Sequence, residues 1–153
     1  ADGRLAALLT LIVVFALLLI DFRSLRLALM AMVPLVLGAI WMVGAMRLGG
    51  LQLTLLNVIC LPLILGIGVD DGVHLLHRYR LEGRGSVEAV FRSTGKAVLL
   101  TSLTTMLAFG SLVFATYRGL GSMGIALFIG VGTCFLASVL ALPCLIGRLE
   151  RKE

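Results

Sequence analysis

Charge is scarce in this chain, and it is missing where a water-soluble fold would need it. Only 14% of the 153 residues are Asp, Glu, Lys or Arg, against 60% hydrophobic, whereas a soluble domain carries about a quarter charged residues. The charges fall in clumps between long uncharged runs, and no Lys or Arg lies deep inside any run. One soluble core cannot bury five such runs, so lipid is the expected solvent. Strand-like alternation of apolar and polar residues is also lacking, and an open sheet cannot sit in hydrocarbon. The three cysteines, Cys60, Cys134 and Cys144, lie inside apolar runs. They have no metal-ligand spacing and read as small buried side chains.

What is present is an all-α pattern. An apolar stretch of about 20 residues crosses the hydrocarbon layer as a helix, and five candidates appear, over 5–22, 25–46, 51–76, 97–116 and 120–147. If loops are assigned alternately to the two sides, Arg4, Arg47 and Arg118 fall on one. Arg23, Arg26, Arg78, Arg80, Arg84, Arg92, Lys96, Arg148, Arg151 and Lys152 fall on the other. Basic loops stay cytoplasmic, so the N-terminus is expected outside and the C-terminus inside. The net charge of +5 then reflects topology and not a nucleic-acid partner.

The flank after the first run, Asp21 to Arg26, is basic and has no small-residue cleavage site, so it does not read as a secretion signal. An outside N-terminus needs something upstream to deliver it, and the chain is expected to be a fragment. Residues 77–96 form the one sizeable extramembrane segment. There Ser86 reads as an N-cap, and Val87, Val90 and Phe91 share a face. The segment is expected to hold a short amphipathic helix at the cytoplasmic interface, with a plain linker as the alternative. His77, Arg78 and Tyr79 read as interfacial, the last two as headgroup anchors.

Two acids interrupt an apolar run: Asp70 and Asp71. An ionised Asp at mid-membrane costs about 2.5–3.5 kcal/mol on insertion scales, and adjacent carboxylates also repel. Such a pair is poised to bind and release protons; a pair permanently neutralised by a structural partner is the alternative. Pro62, Gly66, Asp70 and His74 recur at four-residue spacing and form one stripe. Gly66, Gly68 and Gly72 remove bulk beside the acids and let a helix or water approach. His74 lies on the cytoplasmic side and can relay a proton, or simply hydrogen-bond at the interface. The fourth run carries Thr101, Ser102, Thr104 and Thr105. Of these, Thr101, Thr104 and Thr105 share a face with Ala108, where hydroxyls can bond the carboxylates or make ordinary interhelical hydrogen bonds. In the fifth run Ala126, Gly130, Cys134 and Ser138 form a small-residue packing seam.

Three motifs carry a resemblance. The stretch from Gly66 to Arg80, GIGVDDGVHLLHRYR, resembles the central helix of the resistance–nodulation–division (RND) superfamily, closest to its MMPL-like and hopanoid-transporter-like lipid exporters. The stretch from Leu100 to Leu112, LTSLTTMLAFGSL, is similar to that family's next helix. The stretch from Asp21 to Arg26, DFRSLR, is similar to its cytoplasmic turn. The resemblance implies half of an RND-type transmembrane domain, helices two to six of the C-terminal half, the unit called a sterol-sensing domain in Patched-like relatives. It implies that the periplasmic domain and the first half lie elsewhere. It also implies that Asp70 and Asp71 correspond to the proton-relay acids. An Asp-Asp pair resembles the drug-efflux branch, since many MMPL-type members carry Asp-Tyr there.

The expected function is therefore a proton-motive-force-driven exporter of lipids or other hydrophobic compounds in a bacterial inner membrane. Asp70, Asp71 and His74 would form the relay, supported by Thr101, Thr104, Thr105, Gly66 and Gly68. No cofactor and no enzyme activity are expected. The partners implied are membrane lipids, a lipid-like substrate, the other half of the transporter and a possible homo-oligomer. A non-transporting lipid- or sterol-sensing module is the main alternative, and cation export through Asp70, Asp71, His74 and His77 a minor one. An intramembrane aspartyl protease needs two carboxylates facing each other from different helices. Sequence neighbours point about 100° apart, which argues against it.

Overall fold

The computed structural model describes residues 2–50, 55–83 and 85–151. Five α-helices follow in order: α1 (Asp2–Phe22), α2 (Leu25–Leu48), α3 (Leu55–Glu82), α4 (Val87–Gly110) and α5 (Arg118–Glu150). A 3-10 turn over Ser111–Phe114 joins the last two. Each α-helix contains a stretch long and apolar enough to cross a membrane, and there is no strand among the described residues. The all-α, five-span reading holds. The expected start of the third span at Leu51 lies outside the described residues.

Two boundaries differ from the sequence reading. The third helix does not stop at residue 76 but runs to Glu82, extended by a side-chain bond from Arg78 Nε to Glu82 Oε1 at 2.6 Å, one turn apart. Residues 87–96 are not a separate interfacial helix; they are the first turns of α4, which passes unbroken through Gly95. The amphipathic face is real but covers protein. Val90 is fully buried in the core, and Val87 and Phe91 pack against it. Ser86 stands at the N-cap position but makes no cap bond; its hydroxyl donates back to the Gly83 carbonyl.

The helices alternate in direction, so the 23–24 turn, the C-terminal end of α3, the start of α4 and the end of α5 gather at one end of the bundle, the basic end. α3 packs against every other helix, and α5 packs against α2, α3 and α4. The expected seam on α5 is what brings α5 so close. Ala126, Cys134 and Ser138 are fully buried. A Cβ built on Gly130 would lie 2.7 Å from Ile64 of α3, and one on Gly38 of α2 or Gly68 of α3 would lie 2.7 Å from Cys134 Sγ. Cys134 thus occupies a three-helix junction that only glycine neighbours can leave open. α1 is peripheral: among the described residues it packs against α2 and α3 and no other helix.

At the basic end α1 is tied to α3. The fully buried Phe22 packs against His77 in a tilted ring pair, 5.4 Å between centroids. His77 Nδ1 lies 3.5 Å from Asp21 Oδ2, and Arg80 Nη1 donates to the Phe22 carbonyl at 3.1 Å. Of the residues expected as headgroup anchors, Arg78 is exposed and pairs with Glu82 one turn along its own helix, while Tyr79 is partly buried and packs against the core.

Candidate functional site

α3 presents Asp70 and Asp71 in the middle of its span, and their different directions follow from helix geometry. Asp71 is 8% exposed. It faces Ser102 of α4, whose Oγ donates to the carboxylate and lies 3.1 Å from each of its oxygens. Asp70 is exposed, as are Gly66 and His74 on the same stripe. A Cβ added at Gly66 would meet nothing within 4 Å. The stripe read from the sequence is therefore the open outer edge of α3, and Asp71 is the acid turned inward.

A cleft of about 360 Å³ lies between α3 and α4, with Val131 of α5 at its floor. Asp70, Asp71 and His74 line it from α3, and Thr94, Thr101, Ser102 and Thr105 line it from α4. Five residues chosen from the sequence, Asp70, Asp71, His74, Thr101 and Thr105, thus meet in one cleft. Thr104, Gly66 and Gly68 are not part of its lining. Thr104 is exposed and spends its hydroxyl on the carbonyls of Leu100 and Thr101 at 3.0 and 2.8 Å. Gly68 packs under Cys134, and Gly72 lies over α2, where an added Cβ would be 3.6 Å from the Ala31 carbonyl. These glycines set helix packing around the acids and do not open space beside them.

The hydroxyl that reaches a carboxylate is Ser102, which the sequence reading noted on the fourth run but left off its hydroxyl face. Thr101 and Thr105 line the cleft yet donate within α4, to Val98 at 2.9 Å and to Thr101 at 2.8 Å. Thr94 was missed altogether. The signal was the helical repeat Thr94, Val98, Thr101–Ser102, Thr105, an alternative face with equal periodicity. No group of three or more His, Cys, Asp or Glu able to hold a metal ion occurs among the described residues. The arrangement offers one buried, hydrogen-bonded carboxylate, one open carboxylate and an imidazole one turn along, with hydroxyls opposite.

Comparison with known proteins agrees with this architecture. The profile described as MMPL family matches residues 1–152. A membrane protein of Methanocaldococcus jannaschii is 34% identical over 92% of this chain and 38% of its own length. The hopanoid transporter HpnN of Burkholderia multivorans is 33% identical over 97% of this chain and 16% of its own length. The human protein dispatched homolog 3 is 31% identical over 64% of this chain and 8% of its length. The chain thus spans well under half the length of the curated relatives it matches. No solved structure matches it significantly.

Proposed function

Since the chain belongs to the MMPL family, we propose that it is part of the membrane domain of an exporter of lipids or other hydrophobic compounds, driven by proton entry through Asp70, Asp71 and His74. The observation that carries this is the acid pair itself. Two carboxylates stand at mid-span on the helix that touches every other helix, one sealed against Ser102 and the other at an open edge beside a cleft. Mid-membrane charge is costly and marks ion pathways and proton relays. A pair that differs in exposure can hand a proton from the open Asp70 to the buried Asp71.

The relatives support the substrate class, one of them being named a hopanoid transporter. The ten-to-three bias of basic residues supports a cytoplasmic basic end. His74 then stands between the acids and the cytoplasm, one turn past Asp70, as a relay toward that side. Each proton entering down a 100 mV potential supplies about 2.3 kcal/mol. The other half of the transporter would cover the open edge of α3, and the membrane would be a bacterial inner membrane.

Replacement of Asp70 or Asp71 by Asn in the intact protein tests the proposal. Transport should fall to background while the protein still inserts and accumulates in the membrane. Undiminished transport by the doubly substituted protein contradicts it.

A further inference from the structure

Four hydroxyls on α4 behave alike, and Ser102 departs from them. Ser93, Thr101, Thr104 and Thr105 each return a proton to a carbonyl about one turn back on their own helix, as Ser and Thr commonly do inside helices. Ser102 instead sends its proton across to Asp71 of α3, with both carboxylate oxygens at 3.1 Å. It gives up a local partner, the Val98 carbonyl four residues back, for a bond between helices.

The rest of the packing gives that bond a mechanical meaning. α3 is fixed to α5 by contacts with no slack, Gly68 against Cys134 and Gly130 against Ile64, and α2 is fixed to the same cysteine through Gly38. α4 is pinned at the end away from the basic loops, where a Cβ on Gly124 would lie 2.8 Å from both Leu112 Cβ and the Phe109 carbonyl. At the level of the acids, however, a cleft separates α3 from α4. The buried α4 residues nearer the basic end, Val90 and Val98, are smooth aliphatic contacts. The connection that leads into α4 contains Gly83 and Gly85, both at positive φ.

The geometry points to Ser102 as the positioning residue through which α4 reads the charge on Asp71. The inference rests on the proton-driven reading above. An ionised Asp71 holds the Ser102 hydroxyl by a charge-assisted bond, roughly twice as strong as a neutral one. A protonated Asp71 loses that advantage, and Ser102 returns to the Val98 carbonyl. α4 is then free to shift against α3 while its far end stays seated on α5, and the cleft changes its opening. The titratable groups facing Asp71 are Asp70 and His74 on its own helix and the Cys134 thiol on α5. α4 contributes the uncharged Ser102, and α2 packs Ala31 and Pro34 over the neighbouring Gly72.

The test places Thr94→Cys at the cleft wall of the intact protein in membrane vesicles, with the exposed Cys144 replaced by Ser and the buried Cys60 and Cys134 kept. The rate of alkylation by a membrane-impermeant maleimide is compared between variants at the same pH, which cancels the reagent's own pH dependence. Ser102→Ala should change the rate several-fold at alkaline pH and converge with the parent at acid pH. Ser102→Thr, which keeps the hydroxyl, should follow the parent throughout. Asp71→Asn should behave as Ser102→Ala does. Identical rates for the parent and Ser102→Ala at every pH would overturn the role of Ser102. If Asp71→Asn still abolished transport in that case, the proton-driven reading would stand without the latch. Normal transport by Asp71→Asn would remove the reading on which the latch depends.

Discussion

Gly68 of α3 and Cys134 of α5 touch so closely that a single methyl group has no place between them: a Cβ on Gly68 would lie 2.7 Å from the Cys134 sulfur and 2.9 Å from its Cβ. The contact fixes the Asp-bearing helix against α5 two positions before Asp70. Gly38 meets the same cysteine from α2, at 2.7 Å from its Cα.

Gly68→Ala should therefore destabilise the bundle by about 1–3 kcal/mol, the usual cost of overpacking. Gly38→Ala should cost more, because the atom it meets is backbone. Gly66→Ala, which opens on empty space, should be neutral. Thermal unfolding of the purified proteins in detergent checks the ranking; a Gly66 variant less stable than the Gly38 variant would refute it.

The tie between α1 and α3 combines one buried and one half-exposed element, and they should differ in weight. Phe22 is fully buried, so Phe22→Ala should cost about 3–5 kcal/mol. The Asp21–His77 pair has both side chains close to half exposed, and such pairs contribute about 0–1 kcal/mol. Asp21→Asn should thus shift the unfolding midpoint little. A larger loss from Asp21→Asn than from Phe22→Ala would show that the pair, and not the ring, secures α1.

Ser138 is fully buried, and its hydroxyl finds no hydrogen-bond partner among the described residues. An unmet buried hydroxyl carries a desolvation cost of about 1–3 kcal/mol. Ser138→Ala keeps the seam's small size and removes that cost, so it should raise thermal stability or leave it unchanged. A clear loss of stability would reveal a partner for this hydroxyl in the working protein.

Hydroxyls on α4 should separate by contact and not by residue type. Ser102→Ala should lower transport in the intact protein by about tenfold or more, about 1.4 kcal/mol on the scale of a single hydrogen bond to a charged group. Thr104→Val should leave transport within about twofold, because that side chain bonds only its own helix. Vesicle transport rates normalised to membrane-inserted protein decide this; equal losses at the two positions would argue that the cleft is not the site.

The sequence displayed the number of helices because apolar runs of membrane-spanning length leave few alternatives. It displayed the acids because no other Asp or Glu, and no Lys or Arg, interrupts an apolar run. Other features depended on neighbours. The choice between the Thr101–Thr104–Thr105 face and the Thr94–Thr101–Ser102–Thr105 face was not legible: α4 is studded with hydroxyls and leucines on several sides, and both faces satisfy helical spacing. The polar stretch up to Lys96 reads as part of an extramembrane segment with a short helix of its own, yet it is continuous with α4 because Val90 and Val98 on either side of Arg92–Lys96 anchor in the same core. Which acid turns inward was likewise set by Ser102 and the Cys134 junction, partners that lie 31 and 63 positions further along the chain.

The central claim is that protons enter through the acid pair. Its most direct measurement is the collapse of an imposed pH gradient across vesicles reconstituted with the intact protein, followed by a trapped pH-sensitive dye in the presence of a transported lipid-like compound. The account expects substrate-dependent proton flux in the native protein, and none above empty vesicles when Asp70 and Asp71 are both Asn. Equal flux from the two proteins would contradict it.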